Sequence, residues 1–108
     1  MAEADFYRGK SVKAVEWYLH DCDLPRLRWA RLRVFDDGTA DACWERDGKR
    51  YGFDSREFAN SFLTEDEYIR FGNWDAADEA SYGVRMADAQ VPLWEDRPGQ
   101  EFDYLGTH

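Results

Sequence analysis

Between residues 27 and 53 apolar and polar side chains alternate in short runs punctuated by two turn signals, Asp37-Gly38 and Asp47-Gly48. Strict alternation followed by Asp-Gly predicts strands joined as hairpins. Register follows from which side chains the pairing brings together. Residues 27–35 against 39–45 with a two-residue loop would place Val34 opposite Asp41 and Ala30 opposite Glu45, mixing charge into the apolar face. A three-residue loop, Asp36-Asp37-Gly38, instead pairs Phe35 with Thr39, Val34 with Ala40, Leu32 with Ala42 and Ala30 with Trp44. That length suits a type I turn with Gly38 left-handed. Around Asp47-Gly48 a two-residue type I′ turn pairs Arg46 with Lys49, Trp44 with Tyr51 and Ala42 with Phe53. One face then carries Ala30, Leu32, Val34, Ala40, Ala42, Trp44, Tyr51 and Phe53 and needs cover.

The cover is encoded next. Asp54-Ser55-Arg56-Glu57 has the form of a capping box with Asp54 as N-cap, flanked by Phe53 and Phe58 as a staple. Phe58, Ala59, Phe62 and Leu63 form a helical apolar stripe. Thr64-Glu65-Asp66-Glu67 repeats the box with Leu63 and Tyr68 around it, so the helix either runs to Phe71 or restarts at Thr64, with Gly72 as the stop.

Residues 11–20 admit two readings. Val12, Val15 and Leu19 share a helical face behind Ser11, while Val15, Trp17 and Leu19 alternate as in a strand. The Lys, Ala, Glu and Leu content favours the helix, ended by Asp21 to Pro25. Residues 1–10 read as a loose arm. The Ala- and acid-rich stretch from Trp74 to Tyr82 suits a short helix, Tyr82, Val84 and Met86 an edge strand, and Pro92 makes residues 91–94 extended. The expected fold is α+β: an antiparallel three- to four-stranded β-meander packed on one face by helices, with an extended acidic C-terminal segment. One domain over 1–108 is expected, with a helix–meander–helix core over 11–72 and residues 73–108 packing on it.

Charge sharpens this picture. The chain carries a net charge of −9, yet residues 1–53 hold ten basic and ten acidic side chains, so the whole excess lies in residues 54–108. Such a field repels phosphate backbones and anionic membranes and attracts basic partners. No apolar run approaches the ~20 residues of a membrane span. The acidic start lacks the pattern of an export signal, and two cysteines then read as reduced thiols, which points to the cytoplasm.

The chemistry-bearing candidates are few. His20-Asp21-Cys22-Asp23 packs possible metal ligands in a row, the basis for a small metal-dependent enzyme around His20 and Cys22. Adjacent residues rarely converge on one ion, however, and a polar break explains them more simply. Glu65, Asp66 and Glu67 offer carboxylates whose spacing helix capping already explains. Trp29, Arg31 and Arg33 on one strand and Arg50 on another interleave aromatics with arginines on the outer sheet face, a pattern that can bind single-stranded nucleic acid. Asp41 and Glu45 fall among them and cancel much of the field, so nucleic acid is an unlikely partner. The acidic half embeds Trp74, Tyr82, Trp94, Phe102 and Tyr104 among carboxylates that include Glu95 and Asp96. Aromatic anchors within charge are common in protein interfaces, so these seven residues are the candidate partner-binding set. The favoured reading is a non-enzymatic protein without cofactor or metal that binds another protein of basic character, as an inhibitor or immunity-type protein would. Trp17-Tyr18-Leu19-His20-Asp21-Cys22-Asp23 resembles the WYxxxCD motif of some bacterial toxin-immunity proteins, but Leu24-Pro25-Arg26 departs from that motif's Gly-Asp-Trp-Glu-His continuation, and no site is carried over.

Overall fold

Alternation in the middle of the chain builds the centre of a six-stranded sheet in the computed structural model. The structure describes residues 1–23, 26–45, 48–72, 75–92 and 100–107, and for 21–23 and 26 the backbone alone. The strands are β1 (Val12–Asp23), β2 (Arg26–Phe35), β3 (Ala40–Trp44), β4 (Arg50–Phe53), β5 (Ile69–Arg70) and β6 (Phe102–Gly106). The helices are α1 (Glu3–Tyr7), α2 (Arg56–Glu65) and α3 (Ala76–Tyr82), and a 3₁₀ turn spans Met86–Asp88. Strand order is β5-β1-β2-β3-β4-β6. All neighbours are antiparallel except β4 and β6, which run parallel, so the α+β class holds but the sheet is mixed rather than a pure meander.

The β2–β3 hairpin has the expected register, with Leu32 opposite Ala42 and Ala30 opposite Trp44. Its turn closes through Phe35 N–H to the Thr39 carbonyl (2.8 Å), and Gly38 adopts φ +88°, which a Cβ would oppose. The β3–β4 register differs from expectation by two residues: Ala42 faces Tyr51 and Ala40 faces Phe53. The connection is therefore longer, closed by the Gly48 N–H on the Trp44 carbonyl (2.9 Å). A slip of two preserves the face each side chain occupies, so the apolar side survives the correction.

That side is the main core. Tyr18, Leu32, Ala42, Phe53 and Leu63 are fully buried, with Trp44 and Tyr68 nearly so, beneath α2. Complete burial of a Phe or Leu side chain stabilises by about 1.5–3 kcal/mol. The α2 N-cap is Ser55, not Asp54: its hydroxyl accepts from Phe58 N–H at 3.3 Å. The helix ends at Glu65 and neither continues to Phe71 nor restarts. Tyr68 N–H donates to the Leu63 carbonyl and Glu67 N–H to the Thr64 carbonyl, with Glu67 left-handed at φ 63°. This is a Schellman closure whose apolar contact is Leu63 with Tyr68.

Residues 11–20 form strand β1 rather than a helix. A helix would have buried Val12 and Val15 with Leu19, whereas both valines are about half exposed and Leu19 fully buried. Tyr18 and Leu19 are both buried on opposite faces, which only a strand between two covered faces permits. The N-terminal arm contains α1, with Phe6 only 1% exposed. Tyr82 ends α3 and Met86 opens the 3₁₀ turn, so no edge strand forms there; α3 instead starts with a capping box between Asp75 and Asp78.

Candidate functional site

Both faces of the sheet are covered, which decides the fate of the arginine–tryptophan face. Trp29 and Arg31 are 6% exposed and Arg50 9%. At one end Trp29 packs edge-on against Trp17 (6.5 Å) and Phe71 (5.3 Å), with Tyr82, Met86 and Ala89 over the same cluster. At the other end α1 lies on the sheet. Phe6 contacts Phe35 and Phe102, and the Arg50 guanidinium sits 5.0 Å from the Tyr7 ring and pairs with Glu3. Gly52 makes this closure possible, since a Cβ there would stand 2.8 Å from Phe102 Cζ and 2.9 Å from Phe6 Cε2. Arg33 donates to Asp41 from Nε (3.0 Å) and Nη2 (2.5 Å), and the Tyr7 hydroxyl donates to the same carboxylate at 2.6 Å. Burial first, and then Asp41, raises the Tyr7 phenol far above its ordinary pKa. Trp29, Arg31, Arg33 and Arg50 thus serve an internal layer, not an open stacking platform for nucleic acid.

The expected partner-binding residues separate. Trp74, Trp94, Glu95 and Asp96 lie outside the described residues. Tyr82 is half-buried in the Leu19–Trp29 cluster. Phe102 and Tyr104 on β6 pack on Phe6 at 5.2 and 6.0 Å, and the Tyr104 hydroxyl donates to Asp54. These three aromatics fasten their segments to the sheet. His20 stacks edge-on with Tyr68 (5.2 Å), its Nε2 3.7 Å from Glu67; the Cys22 side chain lies outside the described set. Among the described residues no group of three or more His, Cys, Asp or Glu is placed to hold a metal ion.

Two features do stand at the surface. Exposed carboxylates gather on the turn closing α2, at Glu65, Asp66 and Glu67, and Asp75 follows as the N-cap of α3. Beside them a cleft of about 410 Å³ opens between α2, β5 and α3, lined by Tyr18, Asn60, Thr64, Tyr68 and Asp78 together with Arg56, Ile69 and Arg70. Glu16 anchors it: Arg56 donates to its carboxylate from Nε (2.9 Å) and Nη2 (2.7 Å), and Arg70 Nε lies 3.2 Å away. The Arg56 hydrogen bonds hold the Glu16 carboxyl below the ordinary glutamate range, with the Arg70 charge adding to the effect. Tyr18 donates to Asn60 Oδ1 at 2.5 Å, and burial raises its phenol pKa, so it remains a neutral donor at pH 7.

Comparison with family models, curated proteins and solved structures finds no match to this chain. Among the described residues no helix is long and apolar enough to cross a membrane. Sequence reasoning missed the cleft because its parts are far apart in the chain; Tyr18 and Asn60 are 42 residues apart. Glu16 counted only as helix-favouring composition and Arg56 only as the interior of a capping box. The single available signal was that the acidic half contains just four arginines, two of which meet here.

Proposed function

We propose that this chain acts by binding another protein whose contacting surface is basic, in the manner of an inhibitor or immunity-type protein. The observation that supports this reading is the distribution of charge: the whole excess of −9 belongs to residues 54–108, and Glu65, Asp66, Glu67 and Asp75 are exposed. Exposed carboxylates of one sign accelerate encounter with a basic surface and favour it over acidic ones. The burial of Trp29, Arg31 and Arg50 removes the stacking platform a nucleic-acid role would use. Because Tyr82, Phe102 and Tyr104 serve internal packing, the binding role passes from those aromatics to the carboxylate rim; Trp74, Trp94, Glu95 and Asp96 remain candidates by sequence.

The test is capture of partners from host lysate at low and high salt, with wild type and a Glu65→Lys/Asp66→Lys/Glu67→Lys variant side by side. The expected result is a basic protein retained at low salt by wild type, released at high salt and lost by the variant. Capture of no basic protein, or equal capture by both, contradicts the reading.

A further inference from the structure

The cleft beside α2 has a donor–acceptor imbalance that bears on what it can hold. Most of its acceptors are engaged. Both Glu16 oxygens accept from arginine, Asn60 Oδ1 accepts from Tyr18, and Asp78 accepts the Asp75 N–H through one of its two carboxylate oxygens in the α3 capping box. Its donors are more numerous than those acceptors. A guanidinium has five N–H groups in a planar fork. Arg56 directs Nε and Nη2 at Glu16, with Nη2 also 3.4 Å from the Tyr18 hydroxyl, and Arg70 directs Nε. Among the described residues, Arg56 Nη1, both Arg70 Nη atoms and Asn60 Nδ2 have no protein acceptor. The Arg70 side chain is 48% exposed and Arg56 30%, so the fork is reachable from solvent while Glu16, 12% exposed, fixes its position. Pre-positioned guanidinium groups match the two-oxygen edge of an oxyanion, and holding them in place beforehand lowers the cost of ordering on binding.

We propose that this cleft is a binding site for a small oxyanion, a carboxylate or phosphate group accepted by Arg56, Arg70 and Asn60. It stands independently of the partner-binding role, since its ligand carries the opposite charge to a basic protein surface. Glu16 and Tyr18 are positioning residues: one holds both guanidinium groups, the other orients the Asn60 amide.

The experiment is a two-dimensional amide NMR titration of the whole chain with sodium phosphate and, separately, sodium acetate, at ionic strength matched by sodium chloride. Saturable shifts confined to the neighbourhood of Tyr18, Asn60, Thr64 and Arg70 with either anion, absent with chloride alone, are expected; whichever anion binds more tightly assigns the class. Arg70→Gln removes an exposed side chain with a single link to Glu16, so its melting temperature should stay close to wild type while its affinity falls at least fivefold. Asn60→Ala should weaken binding as well. Absence of saturable shifts with both anions overturns the proposal, as does an Arg70→Gln variant that binds as tightly as wild type. If Arg70→Gln instead lowers stability and leaves anion affinity intact, the arginine cluster is purely structural and the proposal fails.

Discussion

Replacing Asp41 by Ala should be among the most damaging single changes in the chain. Asp41 is fully buried in β3 and accepts three hydrogen bonds, two from Arg33 and one from Tyr7. Removing one member of a buried ion pair typically costs about 3–5 kcal/mol, because the remaining charge is stranded away from water. The Arg33 side chain retains 16% exposure and can recover part of its hydration, which sets the cost at the lower end, about 3 kcal/mol. The Tyr7 hydroxyl also loses its acceptor, adding about 1 kcal/mol. A loss of about 4 kcal/mol is a large share of the 5–15 kcal/mol expected for a domain of this size. Tyr7→Phe should cost less, about 1–1.5 kcal/mol, since Asp41 keeps both Arg33 bonds. A paired Arg33→Met/Asp41→Leu variant should regain at least half of the Asp41→Ala loss, because neither charge is then left alone. Equilibrium urea unfolding followed by tryptophan fluorescence measures all three. An Asp41→Ala loss below about 1 kcal/mol, or a Tyr7→Phe loss equal to it, would refute the idea that this carboxylate ties α1 to the sheet.

Two further outcomes follow from local geometry. Glu67 holds a left-handed conformation (φ 63°) at the C-terminal closure of α2, so Glu67→Gly should stabilise by about 0.5–1 kcal/mol in the same urea assay. Its 3.7 Å approach to His20 is too exposed to offset this. Glu16 titrates below its ordinary value of 4.5 in the folded protein. Its contribution is therefore complete above that value and is lost as pH falls through the lower folded one. Urea midpoints at successive pH values between about 5 and 3 should show wild type losing more stability than Glu16→Gln; parallel loss would contradict the Arg56 pairing.

Where the fold was legible, a single interaction set the answer. The β2–β3 register was readable because only one loop length keeps Asp41 and Glu45 off the face of Leu32 and Ala42. The β3–β4 register was not, because shifting by two leaves the same faces apolar and nothing local penalises either choice. Leu63 and Tyr68 show a different ambiguity. An apolar pair five residues apart marks a helix start when it spans N′ to N4 and a helix end when it spans C3 to C″. Here it closes α2, so the second capping box was a misreading of an end as a beginning. Helix propensity misassigned 11–20 because β1 derives its stability from cross-strand pairing with β2 and β5, which outweighs local preference. The cover on the outer face was the largest omission. The sheet alternation placed Trp29 and Phe35 on that face, but α1 is only five residues long and β6 pairs with a strand some fifty residues earlier, so neither announced itself. The cleft of Arg56 and Arg70 was hidden for the same reason: tertiary distance, not a motif, brings it together.

The covered outer face is the claim on which the structural and functional readings both depend, and the thiol of Cys43 reports on it directly. Cys43 points from β3 into that layer and is fully buried. In a Cys22→Ser variant, which leaves Cys43 as the one thiol, an aromatic disulfide reagent should label the native protein only as fast as it unfolds, and label it fully and at once in denaturant. Immediate labelling under native conditions would mean that α1 and β6 do not close over the sheet, and would return Arg50 and the part of the outer face beside it to the surface.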